Sequence, residues 1–320
     1  MLVTTEDVAK LLKTPEVDNV LILTHMNPDG DTIGCGTALC RVLQSLGKKA
    51  RVENSQELPK KYHFLFDGIE KQDFEPGYII AVDIADPSLL GDRLSIYKDD
   101  VDLCIDHHVS NKGYARKLLL GAEDAAACLT LYRVIKAMDI PVSIPVATDL
   151  YTGLSTDTGC FRYSNANAEC YRAAAELVEL GIDNAYINTV FFETKPISHI
   201  RTMTEAMSGL KLYCNGMVSV ITITTEMLEK YGASEDAGEF ITALSRQIEG
   251  VKVGITLKQK ADGHFKASVR THEPVDASAV CALLGGGGHV RAGGCDLPDN
   301  AEEGLNIMLS YIAQVLNCEV

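Results

Sequence analysis

Apolar positions in the first 190 residues follow two rhythms. Unbroken runs at 19–24 (NVLILT), 77–86 (GYIIAVDIAD) and 101–108 (VDLCIDHH) predict strands buried on both faces, and 49–54 (KARVEN) predicts a shorter one. Between them, 31–47, 125–140, 144–159 and 167–181 space their apolar residues at helical intervals. Gly47 and Gly181 close two of these helices, and Pro145 opens another. The first 18 residues predict a short amphipathic helix. Strands alternating with helices imply an α/β domain, a doubly wound and mostly parallel sheet. Past about residue 190 the rhythm changes. A connecting helix at 195–210 precedes strands at 217–224, 252–259 and 265–271, with a helix at 239–248 and a terminal amphipathic helix at 302–316. The expected layout is a domain over 1–190, a linker helix over 191–210 and a smaller α+β domain over 211–320.

The strand ends carry the chemistry. In a doubly wound sheet, ligands gather beyond the carboxyl ends of the strands. His25, Asp29 and Asp31 follow the first strand, in HMNPDGD. Asp83 and Asp86 end the next run, Asp106-His107-His108 the third, and Asp157 lies at the end of a helix returning to the same edge. Carboxylates and imidazoles without sulfur suit Mn²⁺, with Mg²⁺, Co²⁺ and Fe²⁺ as further candidates. The donors are too many for one ion with open positions and suffice for two ions sharing a carboxylate. Two ions roughly 3.5–4 Å apart can clamp the attacking and leaving oxygens of a phosphoryl displacement. The competing reading is structural: acids at strand ends also form turns and cap helices, and Asp31 could cap the helix that follows it. Four clusters on successive strand ends favour the metal.

Charge and cysteine content narrow the field. With 29 Lys and Arg against 44 Asp and Glu, the net charge is −15, which disfavours long duplex nucleic acid but not a small anion in a cleft. The ten cysteines include no Cys-x-x-Cys pair and read as reduced core residues. No run approaches the roughly 18 apolar residues of a membrane helix, and the N-terminus has no secretory pattern. No membrane partner is expected, and the expected compartment is the cytoplasm.

A second signal lies at 283–294, LLGGGGHVRAGG. Consecutive glycines exclude a helix interior and let backbone amides approach an anion. His289 and Arg291 beside them can bond a phosphate. Arg162, in CFRYSN, is a further phosphate candidate, with a surface ion pair as the alternative. Tyr163 beside it could stack on a base.

Together these segments resemble the DHH phosphoesterase superfamily, whose name comes from the Asp-His-His triplet found here at 106–108. HMNPDGD, VDIAD, IDHHVSN and STDTGCFRYSN resemble its four motifs. FKASVRT, DASAVCALLGGGGHVRAGG and the terminal helix resemble its accessory DHHA1 domain. The likeness spans about residues 19–315, and length and layout resemble the stand-alone bacterial oligoribonucleases that also act as pAp phosphatases. One departure is RAGG, where the family has AAG.

The resemblance implies one ion held by His25, Asp29 and Asp83. It implies a second held by Asp31, Asp83, His107 and Asp157, with Asp83 bridging. His108 would face the substrate phosphate as donor or acid, and Asp106 would orient the histidines. Arg270, Gly286, Gly287, Gly288, His289 and Arg291 would grip the substrate's other phosphate or terminal nucleotide. The implied activity is hydrolysis of short oligoribonucleotides to mononucleotides and of pAp to AMP, by a homodimer. Alternatives sharing the metal site are hydrolysis of cyclic di-AMP or pApA, single-strand exonuclease action of the RecJ kind, and pyrophosphatase activity. The alternative of another class is a catalytically silent nucleotide-sensing module. The complete ligand set argues against it.

Overall fold

The unbroken apolar runs lie at the centre of a five-stranded sheet. In the computed structural model, which describes residues 1–234 and 237–320, the strands are β1 (Val20–Leu23), β2 (Ala50–Glu53), β3 (Tyr78–Val82), β4 (Leu103–Asp106) and β5 (Lys117–Leu120). All pairs are parallel, in the order β2-β1-β3-β4-β5. Every residue of β1, β3 and β4 is buried, as a strand covered on both faces requires. β5 was not expected from the sequence: it is a four-residue edge strand.

The two faces are covered unequally. One packs Val20, Ile22, Ile80, Val82, Leu103 and Ile105 into a large cluster. The helices on this side are α1 (Thr5–Leu11), α2 (Gly30–Ser45), α3 (Ala127–Ala137), α4 (Ile144–Asp157) and α5 (Ala168–Glu179). The other face sets Leu21, Leu23, Ile79, Ala81 and Cys104 against Leu90 and Leu94, from short helical turns. α2 and α4 approach closely through glycine. A Cβ on Gly34 would strike the Asp149 carbonyl, and one on Gly153 would crowd Asp31 and Cys128. That contact brings the N-terminus of α2 beside the C-terminus of α4, and with them Asp31 and Asp157.

Compact packing divides the chain at Met1–Thr194 and Lys195–Val320. The second unit holds a six-stranded sheet of β6 (Lys211–Tyr213), β7 (Val218–Ile223), β8 (Val253–Gln259), β9 (Phe265–Thr271), β10 (Gly287–His289) and β11 (Ala292–Asp296). Its order is β10-β11-β9-β8-β7-β6, with only β7–β8 parallel. Helix α6 (Ile197–Ser208) covers the segment expected to link two domains. It packs Ala206 against Ile221 and Ile223, together with α7 (Thr225–Tyr231) and α8 (Ala237–Leu244). The opposite face carries α9 (Ala277–Ala282) and α10 (Ala301–Leu316), which contribute Val280, Met308, Leu309 and Ile312 to a second core. Among the described residues no helix is long and apolar enough to cross a membrane. All ten cysteines are free, and eight of them are buried.

Candidate functional site

The turn after β1 splits two roles that the sequence left open. Asp29, not Asp31, caps α2: its Oδ1 accepts from the Asp31 and Thr32 amides, both at 3.0 Å. Asp31 lies in the first turn of α2 and caps a different helix. Its Oδ2 accepts from the Ala127 amide at 2.6 Å and its Oδ1 from the Cys128 amide at 2.9 Å. Ala126 sits at the N-cap of α3 and has no side chain to do this. The amides and the positive end of α3 hold a buried carboxylate in place.

Asp83 follows β3 with φ at 58°, a left-handed conformation that few residues other than glycine adopt. Its side chain is 3% exposed and its two oxygens point to different partners. Oδ2 lies 3.6 Å from His25 Nε2, which is also 3.7 Å from Asp29 Oδ1. Oδ1 lies 3.6 Å from His107 Nε2, which is 3.4 Å from Asp157 Oδ2 and 4.0 Å from Asp31 Oδ2. The two sets expected for two ions are therefore assembled on either side of one carboxylate. Three groupings have ligand atoms close enough for an ion: His25-Asp29-Asp83, Asp31-His107-Asp157 and Asp83-His107-His108.

The histidine tautomers follow from their partners. His107 Nδ1 faces the Asp124 carbonyl at 3.1 Å, and a carbonyl only accepts, so Nδ1 carries the proton. Nε2 is then the atom turned toward the carboxylates. His108 Nδ1 sits 2.8 Å from Asp106 Oδ1 and donates to it. Asp106 is fully buried. It also accepts from the His107 amide at 2.8 Å and from Asn111 Nδ2 at 2.6 Å, so it fixes both histidines without joining the metal-facing set. Asp86 caps the turn at 87–90, accepting from the Ser88 amide, and stands apart from the cluster.

The residues fit divalent cations. Asp83 Oδ1 is buried and accepts no hydrogen bond. Burial, and after it the charges of Asp31, Asp29 and Asp157, pushes the Asp83 carboxyl well above the usual range. Burial followed by Asp31 and Asp29 does the same to Asp157. Buried like charges crowded together are costly unless a cation sits among them. Metal-ligating histidines whose other nitrogen is tied to a carbonyl have the geometry seen at His107.

The expected substrate residues divide. The register across β10, β11 and β9 places His289, Ala292 and Arg270 in one row and Gly287, Gly294 and Ser268 two rows away, on the same face. These residues are exposed or half-buried. The glycines do not form a loose loop: Gly287 and Gly288 belong to an edge strand. A Cβ on Gly286 would strike Gly294 and Cys295, and one on Gly288 would strike Ala292 and Gly293. Those two glycines serve the packing of the hairpin. Gly287 has open space where a Cβ would go and no left-handed φ. Arg291 is committed elsewhere, its guanidinium bonding the Val275 carbonyl at 3.1 Å and Glu273 at 3.0 Å. Its side chain is still half-exposed. Arg162 lies in the other unit, its Nε donating to the Gly159 carbonyl at 2.5 Å and its guanidinium over the Phe192 ring. The alternative of a surface ion pair for Arg162 is not what these contacts show.

The sequence did not reveal how α4 ends. Gly159, Cys160 and Phe161 all have φ near 60°, making a left-handed turn directly after Asp157. Two of the three are not glycine, so the turn is strained. It is held by the Cys160 amide on the Ser155 carbonyl at 2.7 Å and by Phe161 between Tyr151 and Tyr171. Tyr163 lies across Gly159, and the only prior signal was the glycine in DTG.

Residues 19–182 match the DHH family, N-terminal domain. A protein of Thermus thermophilus named as a bifunctional oligoribonuclease and PAP phosphatase NrnA is 33% identical over 95% of this chain and 90% of its own length. A cyclic-di-AMP phosphodiesterase GdpP of Geobacillus thermodenitrificans is 23% identical over 89% of this chain and 45% of its own. The crystal structure of an exopolyphosphatase-related protein from Bacteroides fragilis shares the fold, with a TM-score of 0.87, 24% identity and coverage of 98% and 97%. The chain belongs to the DHH family.

Proposed function

We propose that this chain is a divalent-metal-dependent phosphoesterase that hydrolyses short oligoribonucleotides to mononucleotides and pAp to AMP. The observation that carries this is Asp83, whose two buried oxygens face two separate imidazole and carboxylate sets. The similarity to the Thermus thermophilus oligoribonuclease and PAP phosphatase supports the substrate class. His25, Asp29 and Asp83 would hold one ion; Asp31, Asp83, His107 and Asp157 the other. Mixed imidazole and carboxylate donors favour Mn²⁺ over Mg²⁺, Co²⁺ or Fe²⁺. Bound there, two such ions lower the pKa of water and neutralise charge on the phosphoryl oxygens.

The chain's own groups do the rest. Asp106 holds the His108 ring by its Nδ1 proton, so Nε2 is the atom offered to substrate. From there it hydrogen-bonds a phosphoryl oxygen or passes a proton to the leaving oxygen. Arg270, His289 and the amides of the Gly287 edge strand hold the far phosphate or terminal nucleotide, and Gly287 leaves room for it. Arg162 adds a phosphate contact, pre-set by the Gly159 carbonyl and Phe192. In this reading residues 1–190 carry the chemistry, 191–210 join the halves and 211–320 bind substrate, in a homodimer. A second reading, cleavage of cyclic di-AMP or pApA, draws support from the similarity to GdpP, of which this chain spans less than half.

The test is a panel of pAp, 5′-phosphorylated RNAs of two to about ten nucleotides, pApA, cyclic di-AMP and pyrophosphate with Mn²⁺, using Asp83→Ala as the blank. Mononucleotides from the shortest RNAs and AMP from pAp are expected. Preference for cyclic di-AMP would favour the second reading. Failure to turn over any substrate in an Asp83-dependent way would leave the silent sensing module.

A further inference from the structure

Resting on the metal-dependent reading above, we infer that the loop at 121–126 and the first turn of α3 after it are the positioning frame for one of the two ion sets. Its positioning residues are Asp124, Arg133 and Asn165.

Backbone groups of this segment reach two candidate ligands directly and a third through Asn165. The Asp124 carbonyl accepts the Nδ1 proton of His107 at 3.1 Å. The Ala127 and Cys128 amides bond the two oxygens of Asp31 at 2.6 and 2.9 Å. Asn165 Nδ2 donates both to the Ala125 carbonyl at 3.2 Å and to the Asp157 carbonyl at 3.1 Å, tying the end of α4 to the same loop. His107, Asp31 and Asp157 are the members of one grouping of ligand atoms. The other set is held differently. The His25 carbonyl accepts from Asn54 Nδ2 at 2.6 Å, and Asp29 is fixed by the amides of its own helix.

The loop is itself locked from behind. The Asp124 carboxylate, 7% exposed, is gripped by Arg133 through Nη2 at 2.7 Å and Nη1 at 3.0 Å and by the Thr130 hydroxyl at 2.6 Å. A Cβ on Gly121 would collide with that carboxylate and with Thr130, so the loop begins at a position only glycine fits. Arg133 Nε in turn bonds Glu169 on α5 at 2.6 Å. A two-pronged arginine–carboxylate pair fixes direction as well as distance. The Asp124 carboxylate faces away from the cluster while its carbonyl meets His107, so it acts through the loop and touches no reacting atom.

Metal-stripped protein would be titrated with Mn²⁺ calorimetrically, as the unaltered chain, Asn165→Ala, Arg133→Met and Arg133→Lys. The unaltered chain should take up two equivalents. In Asn165→Ala and Arg133→Met one equivalent should weaken about 10- to 100-fold while the other holds. Arg133→Lys should recover part of the loss. Asn165 is on the surface, so its variant tests the frame even if Arg133→Met fails to fold. Two unchanged equivalents in both variants, or equal weakening of both equivalents, would overturn the frame and leave the metal-dependent reading intact. Absence of Mn²⁺ uptake by the unaltered chain would overturn that reading, and the frame with it.

Discussion

The two halves of this chain build their candidate sites by opposite means. In Met1–Thr194, side chains from four distant segments converge on a buried point, with Asp31 and His107 held by backbone groups of a neighbouring element. In Lys195–Val320 a single contiguous segment at 283–294 folds into a hairpin on a sheet edge, and Gly286 and Gly288 serve the packing of that hairpin. Buried charge is costly and needs a reason, so a charged residue at a strand end is a strong pointer to function. Glycine is called for by tight packing as readily as by a ligand, so a glycine run is a weaker one.

The contrast can be broken at either site. The largest effect should come from Asp83→Asn, which removes the shared carboxylate. Turnover of short RNA should fall by at least about 10³-fold, roughly 4 kcal/mol of transition-state stabilisation. The same variant should melt at a higher temperature than the unaltered metal-free protein at neutral pH, by about 1–2 kcal/mol, because an amide there needs no proton from solvent to avoid the charges of Asp31, Asp29 and Asp157. A calorimetric scan in chelator would check this, and a lower melting temperature would contradict it. Next comes His108→Ala, which should lower kcat about 10²- to 10⁴-fold with both Mn²⁺ equivalents retained. Loss of an equivalent would make His108 a ligand instead.

The second unit should respond more modestly. Gly287→Val should raise KM about tenfold, roughly 1.4 kcal/mol, with melting temperature unchanged. Gly286→Val should do the reverse, lowering stability by about 1–3 kcal/mol through overpacking. Kinetics and thermal melts of the pair separate ligand space from packing. Arg291→Ala should cost about 1 kcal/mol of stability and leave KM unmoved.

The smallest effect is in pH. Asp83 and Asp157 have carboxyls raised by burial and by their neighbours, so the metal-free fold keeps protons that the unfolded chain has released. That contribution is full below the ordinary carboxylate pKa of about 3.9 and is lost as pH rises through the raised values. Metal-free protein should therefore gain stability, relative to Asp83→Asn, as pH falls from neutral. Mn²⁺ displaces the same protons, so its affinity should rise with pH.

Much of this was legible in the sequence, for identifiable reasons. β1, β3 and β4 announced themselves because strands buried on both faces are unbroken apolar runs. The residues that converge were legible because hydrophilic donors stood where such strands end, at His25, Asp29, Asp31, Asp83 and His107, and where a helix returns to the same edge, at Asp157. What holds them was not. Asp31 meets the amides of α3 nearly a hundred residues later, and no local pattern records that pairing. The left-handed turn over Gly159, Cys160 and Phe161 was hidden because cysteine and phenylalanine give no sign of positive φ. β10 and β11 were missed because their glycines read as a loop, and the bonds of Arg291 to Glu273 and Val275 had no local signal.

The measurement that bears most directly on the account is anomalous diffraction from crystals soaked in Mn²⁺. Two peaks roughly 3.5–4 Å apart are predicted, one among His25, Asp29 and Asp83 and the other among Asp31, Asp83, His107 and Asp157. A single peak, or two peaks with Asp83 bound to neither, would contradict a centre built around one shared carboxylate.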